Sequence, residues 1–142
     1  MREEGNIETI RRVVESFNSG DLEYPFSVYA PDIRWENFSP PPAGMDELYE
    51  GHEGVRRFWR QWLSSWDWVE FEQERFLAAG DHVVVFQRTH ARGRTSGVET
   101  DFGDYAQVWT LRDGRVTGVK FYLDRNEALT AAGIVDSTSQ QR

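Results

Sequence analysis

The stretch "VWTLRDGRVTGVKFYLDRNEALTAAG", residues 108–133, decides the fold class. It starts as an apolar strand, turns at Asp113–Gly114 and continues as a second strand, which is the pattern of an antiparallel hairpin. Asp124 then precedes "RNEALTAAG", and Glu127 follows it by three residues, which is the spacing of a capping box at a helix start. Gly133 is a residue type that commonly ends helices. The segment therefore predicts strand, turn, strand and helix in succession.

The chain between Trp68 and Leu111 predicts three strands, the last of which runs into the segment above. They read "WVEFEQERFLA", "HVVVFQRTHAR" and "VETDFGDYAQVWTL", and they are separated by the Gly80–Asp81 turn and by the Gly-rich "GRTSG". Strands joined by such turns are typical of an antiparallel meander. A glycine inside a strand often marks a bulge, so Gly103 in "DFGDYA" is predicted to bend the sheet.

The N-terminal half of the chain has the apolar periodicity of helices. A first helix is predicted between a cap at Asn6 and a stop at Gly20. Asp21 can cap a short second helix through "LEYPFSVYA", and "DIRWEN" is predicted to be a short strand. A wide apolar stripe predicts a third, long helix, and it consists of Val55, Phe58, Trp59, Trp62, Leu63 and Trp66.

Helices followed by a strand meander and a short final helix indicate an α+β fold. The expected architecture is a curved antiparallel sheet that forms an open, cone-shaped barrel around the long helix. We expect one domain over residues 1–134 and a flexible C-terminal tail over residues 135–142.

Composition excludes several kinds of partner and chemistry. The formal net charge is −8, from 24 acidic and 16 basic residues, which argues against nucleic acid or an anionic membrane surface as a partner. No stretch approaches the roughly 20 apolar residues of a membrane span. The sequence contains no Cys, so disulfides and thiolate chemistry are excluded. The opening "MREEGN" has no apolar run, so we expect no secretory signal and a cytoplasmic protein.

Three stretches resemble the nuclear transport factor 2-like superfamily, specifically its SnoaL-like branch. They are "FNSGDLE", "YEGHEGVRRFW" and the segment quoted first, and the likeness runs from about Ile7 to Gly133. The resemblance implies a cone-shaped α+β barrel, usually a homodimer through the outer sheet face, with a deep pocket between sheet and helices. Relatives of this kind include ketosteroid isomerase, scytalone dehydratase, limonene epoxide hydrolase and polyketide cyclases. They imply acid–base chemistry on a small hydrophobic molecule without a metal or organic cofactor.

The catalytic positions of ketosteroid isomerase are not matched in this chain. Its carboxylate base would fall on Asn37, its oxyanion-binding acid on Gln107 and its oxyanion tyrosine on Val13. An amide cannot abstract a proton as a carboxylate does, and valine cannot donate a hydrogen bond. Steroid-type isomerisation is therefore not expected.

The family template, combined with the rule that alternate strand positions share a face, predicts the pocket wall. It places Arg88 and His90 on the inner face of their strand, with Tyr105 and Gln107 inward on the next. A mostly apolar wall with a few convergent polar groups is typical of a small-molecule site. The predicted ligand-binding residues are Asn37, Gln107, Trp35, Trp59, Trp62, Phe86, Tyr105, Trp109 and Phe121.

The predicted catalytic residues are His90, Arg88 and Asp104. His90 would move a proton, since imidazole titrates near neutral pH, while Arg88 would hold an oxyanion and Asp104 would orient the histidine. Glu36, Asp101 or Tyr105, or a group on a ligand, could instead pair with the charge of Arg88. Exposure of Arg88 and His90 at the rim is an equally open alternative.

Two functions follow from this pattern, and the sequence does not separate them. One is a cofactor-free enzyme of the isomerase, dehydratase, cyclase or epoxide hydrolase type. The other is a non-catalytic ligand-binding or dimerisation module that uses the same pocket. Scattered histidines without metal-ligand spacing indicate no metal site.

Overall fold

The computed structural model describes residues 2–134, so the predicted tail over residues 135–142 lies outside the described part of the chain. Three helices and six strands follow one another as α1 Arg2–Asn18, β1 Tyr29–Glu36, β2 Leu48–Glu50, α2 Gly51–Leu63, β3 Trp66–Ala79, β4 His82–Gly93, β5 Glu99–Arg112, β6 Arg115–Tyr122 and α3 Arg125–Ala132. The predicted α+β class is confirmed, because the strands form one curved, unclosed sheet.

The sheet has the strand order β2-β1-β6-β5-β4-β3. The meander predicted for the four long strands is confirmed, since β3 through β6 pair consecutively and antiparallel. Only β1 and β6 run parallel among the described strand pairs, and β2 adds a short antiparallel edge beside β1. The three-residue β2 is too short to show a periodic pattern, which is why the sequence did not predict it.

The first two helix predictions are only partly right. The first helix begins at Arg2, so Asn6 lies buried within it and is not its cap. The predicted second helix is reduced to a single 3-10 turn over Tyr24–Ser27. Asp21 still binds the backbone that leads into this turn, since its Oδ1 accepts hydrogen bonds from the N–H groups of Glu23 and Tyr24, each at 3.0 Å, although Glu23 holds the cap position.

The closed end of the cone is filled by aromatic side chains. Trp35 of β1 is 0% exposed and lies within 6.1 Å, ring centroid to centroid, of the rings of Tyr29, Phe58, Trp59, Trp109 and Phe121. Apolar residues of α1, α2 and the inner sheet face complete this core. Trp35 thus packs against rings from the N-terminal half of the chain and from the last two strands.

Tyr29 carries a buried hydroxyl that has no hydrogen-bond partner among residues 2–134. Burial raises the pKa of Tyr29 well above its ordinary value. Because the unfolded chain releases this proton at about pH 10 and the folded chain retains it, folding stability should fall as pH rises above 10. The hydroxyl also costs stability at neutral pH, since a buried donor without a partner is unfavourable.

We therefore expect Tyr29→Phe to stabilise the protein by about 1 kcal/mol at pH 7 and to reduce the loss of stability above pH 10. Urea unfolding followed at pH 7 and pH 10.5 measures both effects. Tyr24→Phe, at a half-buried tyrosine of the neighbouring turn, is the matched control and should change little. A destabilised Tyr29→Phe protein would show that the hydroxyl is satisfied in solution.

The bulge predicted at Gly103 is confirmed. Arg88 pairs with Asp104 and His90 pairs with Asp101, so two residues of β5, Phe102 and Gly103, stand opposite one residue of β4. Gly103 has φ +76°, a left-handed conformation that glycine adopts without the strain of a Cβ atom. The extra residue bends β5 where the sheet curves around the open end of the cone.

The outer face of the sheet is covered in part by α3. Asp124 caps this helix by accepting a 2.8 Å hydrogen bond from the N–H of Asn126, and Gly133 ends it with φ +74°, as the sequence predicted. Leu129 and two alanines of α3 pack against Val84 and Phe86 of β4. Because of this layer, the central strands are buried on both faces.

Candidate functional site

A cavity of about 690 Å³ lies at the open end of the cone, between the inner sheet face, α2 and the loop that follows β1. Its lining consists of Val14, Phe17, Asn37, Phe38, Pro40, Pro41, Pro42, Ala43, Gly44, Met45, Phe58, Trp59, Gln61, Trp62, Ser64, Ser65, Trp66, Phe71, Gln87, Thr89, Phe102, Tyr105, Gln107, Phe121 and Leu123. Exposed residues such as Pro40, Ser65 and Leu123 form its rim. The cavity is therefore open to solvent on one side and apolar over most of its wall.

Aromatic pairs form the walls of the cavity. Trp62 and Phe71 are stacked with ring centroids 5.8 Å apart, and Trp66 meets Phe102 edge to face at 5.1 Å. Nearer the core, Tyr105 stacks on Phe121 at 6.4 Å. Flat aromatic surfaces of this kind suit a planar aromatic ligand.

β4 presents Gln87 and Thr89 to the cavity. The prediction that Arg88 and His90 point inward is wrong. The register shows this directly, because Gln87 pairs with Tyr105 and Val85 pairs with Gln107, and cross-strand partners share a face. Arg88 and His90 therefore lie on the outer face of the sheet.

The predicted ligand-binding residues separate into three groups. The orientation is as predicted for six that line the cavity, namely Asn37, Trp59, Trp62, Tyr105, Gln107 and Phe121. Trp35 and Trp109 do point inward, but they are fully buried in the closed end of the cone and do not line the cavity. Phe86 lies on the outer face under α3, since it follows the same strand parity as Arg88.

The three predicted catalytic residues meet on the outer face. Arg88 Nε lies 3.1 Å from Asp104 Oδ1, and its Nη2 lies 3.9 Å from Asp101 Oδ2. His90 Nδ1 is 3.8 Å from the same Asp101 oxygen. Arg88 is thus neutralised by two protein carboxylates. The catalytic role stays a prediction, and the cavity gives it no support because the sheet stands between.

Arg125 of α3 extends the outer charge network to the helix. Its guanidinium pairs with Glu74, lies 3.8 Å from Asp104, and donates to the backbone carbonyls of Gln87 and Tyr105 at 3.4 and 3.3 Å. It also lies over the Phe86 ring, 4.6 Å from the centroid. One side chain therefore fixes α3 to two strands whose inner faces line the cavity.

We expect Arg125→Met to destabilise the protein by about 1–2 kcal/mol, because charge-assisted hydrogen bonds are lost while the aliphatic contact is kept. The loss should shrink in 1 M NaCl, since salt screens partly exposed ion pairs. Urea unfolding at low and high salt measures the effect. Arg92→Met, at an exposed position of β4, is the control. An equal loss in both variants would contradict the special position of Arg125.

A chain of polar side chains crosses the sheet side of the cavity. Gln73 Nε2 donates to Gln87 Oε1 at 3.2 Å, and Gln87 Nε2 donates to Tyr105 Oη at 2.6 Å. The Tyr105 hydroxyl also lies 2.5 Å from Thr89 Oγ1. Burial raises the pKa of Tyr105, although the hydrogen bonds from Thr89 and Gln87 act in the opposite direction. Tyr105 is therefore a protonated hydroxyl at neutral pH.

Two further amides line the cavity. Gln107 Oε1 accepts a 3.0 Å hydrogen bond from Trp109 Nε1. Asn37 is bound to the loop after β1, since its Nδ2 donates to the Asp46 carbonyl at 3.2 Å and its Oδ1 accepts from the Phe38 N–H at 2.8 Å. Asn37 thus holds the rim loop, whereas Gln107 is tied through its oxygen to Trp109 on the same strand.

Sequence reasoning missed Gln87 and Thr89, the loop residues from Phe38 to Met45, and the aromatic side chains of Trp66, Phe71 and Phe102. The alternation of neutral and charged side chains in "Q-R-T-H", residues 87–90, could have indicated which face of β4 points inward. Neutral side chains lose less hydration on burial than charged ones, so Gln87 and Thr89 are the better candidates for an inner wall.

Comparison with known proteins places this geometry in a family. The SnoaL-like domain family model matches residues 10–119. No curated protein matches the sequence significantly. Within the described residues, no helix is long and apolar enough to cross a membrane.

Solved structures share the fold over nearly the whole chain. TerC, co-crystallised with polyporic acid, is 25% identical, with a TM-score of 0.74 and coverage of 90% of this chain and 97% of TerC. An NTF2-like protein of unknown function from Burkholderia pseudomallei is 23% identical, with a TM-score of 0.74 and the same coverages, 90% and 97%. A putative SnoaL-like polyketide cyclase from Jannaschia sp. is 22% identical, with a TM-score of 0.73 and coverages of 94% and 95%.

The family match covers more than half of the chain, and the curved, unclosed sheet matches the fold of the solved structures. The two structures below 25% identity support the fold alone. The chain has the fold of the NTF2-like structure and belongs to the SnoaL-like domain family.

Proposed function

We propose that this protein binds one small, largely apolar aromatic molecule in the cone cavity and holds it without acid–base chemistry. The observation that carries the proposal is the cavity of about 690 Å³, walled by Trp, Phe and Tyr rings. That volume lies within the range of roughly 300–1,000 Å³ found for small-molecule sites. The 25% identical TerC, co-crystallised with polyporic acid, is consistent with an organic ligand for a chain of this fold.

The titratable groups favour binding over proton transfer. Among the described residues that line the cavity, Tyr105 is the only one with an ionisable side chain. Burial raises the pKa of Tyr105, so at neutral pH it can donate a hydrogen bond but cannot act as a general base. His90, first expected to move a proton, and Asp104, first expected to orient that histidine, lie on the outer face of the sheet. The alternative of a ligand-binding module therefore has the stronger support.

Titration with N-phenyl-1-naphthylamine, a neutral fluorescent aromatic, tests the proposal. We expect one saturable site per chain with a micromolar Kd and displacement of the probe by polyporic acid. Absence of saturable binding by either compound would overturn it. Incubation of polyporic acid with stoichiometric protein, followed by chromatography and mass spectrometry, should return the compound unchanged, whereas conversion would favour an enzyme.

The homodimer through the outer sheet face stays a prediction. Part of that face is occupied by α3, and the remainder near Arg88 and Asp104 is charged. A dimer would therefore bury ion pairs as well as apolar surface, which weakens its driving force. Sedimentation equilibrium at micromolar concentration should show a two-chain mass that dissociates in high salt if this face is used. A one-chain mass under all conditions would exclude the dimer.

A further inference from the structure

β3 is an edge strand of the sheet, and α1 covers only part of its free edge. Near the end of β3, Glu3 Oε2 of α1 accepts a 2.7 Å hydrogen bond from the N–H of Gly80. The helix ends at Asn18, which lies beside Phe71. α1 therefore runs along the strand from its last residues back to Phe71, and residues 66–70 lie beyond the end of the helix.

Asn18 binds the free edge in the way that a neighbouring strand would. Its Nδ2 donates to the Phe71 carbonyl at 3.0 Å, and its Oδ1 accepts from the Phe71 N–H at 3.1 Å. Both backbone groups of Phe71 thus point away from β4. Because these groups alternate between the two sides of an antiparallel strand, those of Val69 point the same way. No other element among residues 2–134 binds them, so Val69 presents a free N–H and a free carbonyl.

The outer face of this stretch carries two carboxylates without an ion pair among the described residues. They belong to the exposed Glu70 and Glu72. Arg88 lies opposite Glu72 on β4, but it pairs with Asp104 and Asp101 instead. Two copies of the chain that joined through this edge would place four carboxylates on one face, which is unfavourable. A partner strand with cations on that face would be attracted.

We propose that the free edge of β3 around Val69 binds an extended peptide segment that carries basic residues at alternate positions, by strand addition. The segment exchanges backbone hydrogen bonds with Val69. Its basic side chains face Glu70 and Glu72, and the apolar side chains between them lie on the other face, beside Val69. Asn18 occupies the backbone groups of Phe71 and so limits the length of the added strand. The site does not depend on a ligand in the cone cavity.

Three blocked heptapeptides test the proposal on the unmodified protein. The first alternates lysine and valine, the second has glutamate in place of lysine, and the third is the first peptide with every backbone nitrogen methylated. The first should bind about tenfold more tightly than either of the others in an NMR titration that follows the Val69 amide. Equal affinity of the methylated peptide would reduce the effect to charge attraction and overturn strand addition. Equal affinity of the glutamate peptide, or no binding of the first, would overturn the proposal as well.

Val69→Pro locates the site, because it removes an N–H that takes no part in the ladder with β4. The variant should keep its fold, measured by circular dichroism, and bind the lysine–valine peptide about tenfold more weakly. Glu72→Gln tests the same site without a backbone change and should weaken binding about threefold at low salt. Glu47→Gln, at an exposed carboxylate before β2, is its control and should leave the affinity unchanged. Full affinity in Glu72→Gln, or in a folded Val69→Pro protein, would exclude this edge.

Asn18→Ala gives the opposite change. It frees the N–H and carbonyl of Phe71, so the added strand gains two hydrogen bonds and the peptide should bind at least about threefold more tightly. Sedimentation of the same variant examines the competing occupant. A two-chain mass that appears only in Asn18→Ala, without a gain in peptide affinity, would assign the edge to a second copy of the chain and overturn the proposal.

Discussion

Thr89→Trp is expected to weaken binding of N-phenyl-1-naphthylamine by more than tenfold. Thr89 is 1% exposed and lines the cavity, so an indole at this position projects into the space that a ligand would occupy. The open cavity has room for the indole ring, so the substitution should lower the affinity for the ligand much more than it lowers the stability of the fold. Fluorescence titration measures the Kd, and urea unfolding checks that the variant is folded.

His90→Trp is the matched control for this experiment. It introduces the same indole one residue further along β4, on the outer face beside Asp101. The Kd for the probe should stay within about twofold of the unmodified protein, since the ring points away from the cavity. The reverse result, with binding lost in His90→Trp and kept in Thr89→Trp, would restore the inner position first predicted for His90.

Trp35→Ala is expected to destabilise the protein by about 3–5 kcal/mol, the cost of removing a large buried aromatic side chain. The indole of Trp35 is 0% exposed and contacts rings from β1, α2, β5 and β6, so its loss leaves a void where both halves of the chain meet. Urea unfolding followed by circular dichroism measures the change in the free energy of unfolding. The thermal midpoint should fall by about 2–4 °C per kcal/mol.

Trp68→Ala is the control for this second substitution. Trp68 of β3 is 41% exposed, so its removal should cost less than about 1 kcal/mol. Similar losses for both tryptophans would contradict the assignment of Trp35 to the centre of the core. A refolded Trp35→Ala protein with an unchanged midpoint would do so as well.

Local signals in the sequence predicted the C-terminal half of the fold well. The Asp124 cap, the left-handed Gly133 and the bulge at Gly103 depend on the chemistry of single residues, and each is found where it was predicted. These three features need no knowledge of distant parts of the chain. The inward face of β5, with Tyr105 and Gln107, was also predicted, but with the help of the family template, since Ala106 and Val108 on the other face are buried as well.

The apolar first half of β4 does not reveal which face of the strand points inward. Val83, Val84, Val85 and Phe86 are all buried, because α2 and the core cover one face while α3 covers the other. A strand that is apolar on both faces has no alternating pattern from which to choose a parity. The inward face of β4 was therefore assigned from the family template. A shift of one residue in that assignment exchanged the inner and outer faces of the strand.

The candidate site was predicted only in part for a related reason. Five of the six lining residues that were predicted lie on helices or strands, but the rim comes from the segment between β1 and β2, where the prolines break any periodicity. The position of that segment depends on the contacts of Asn37 with Asp46 and Phe38 rather than on its own sequence pattern. Such contacts are visible only once the chain is folded.

The single parallel pairing in the sheet has a consequence for the order of folding. Trp35 of β1 pairs with Val119 of β6, so the edge pair β1–β2 can join the sheet only after nearly the whole chain is available. The hairpins of β3 to β6 need only short loop closures and can form earlier. We therefore expect a nascent chain that ends before β6 to expose the aromatic residues of β1 and α2, and to depend on rapid completion of synthesis or on a chaperone to avoid aggregation.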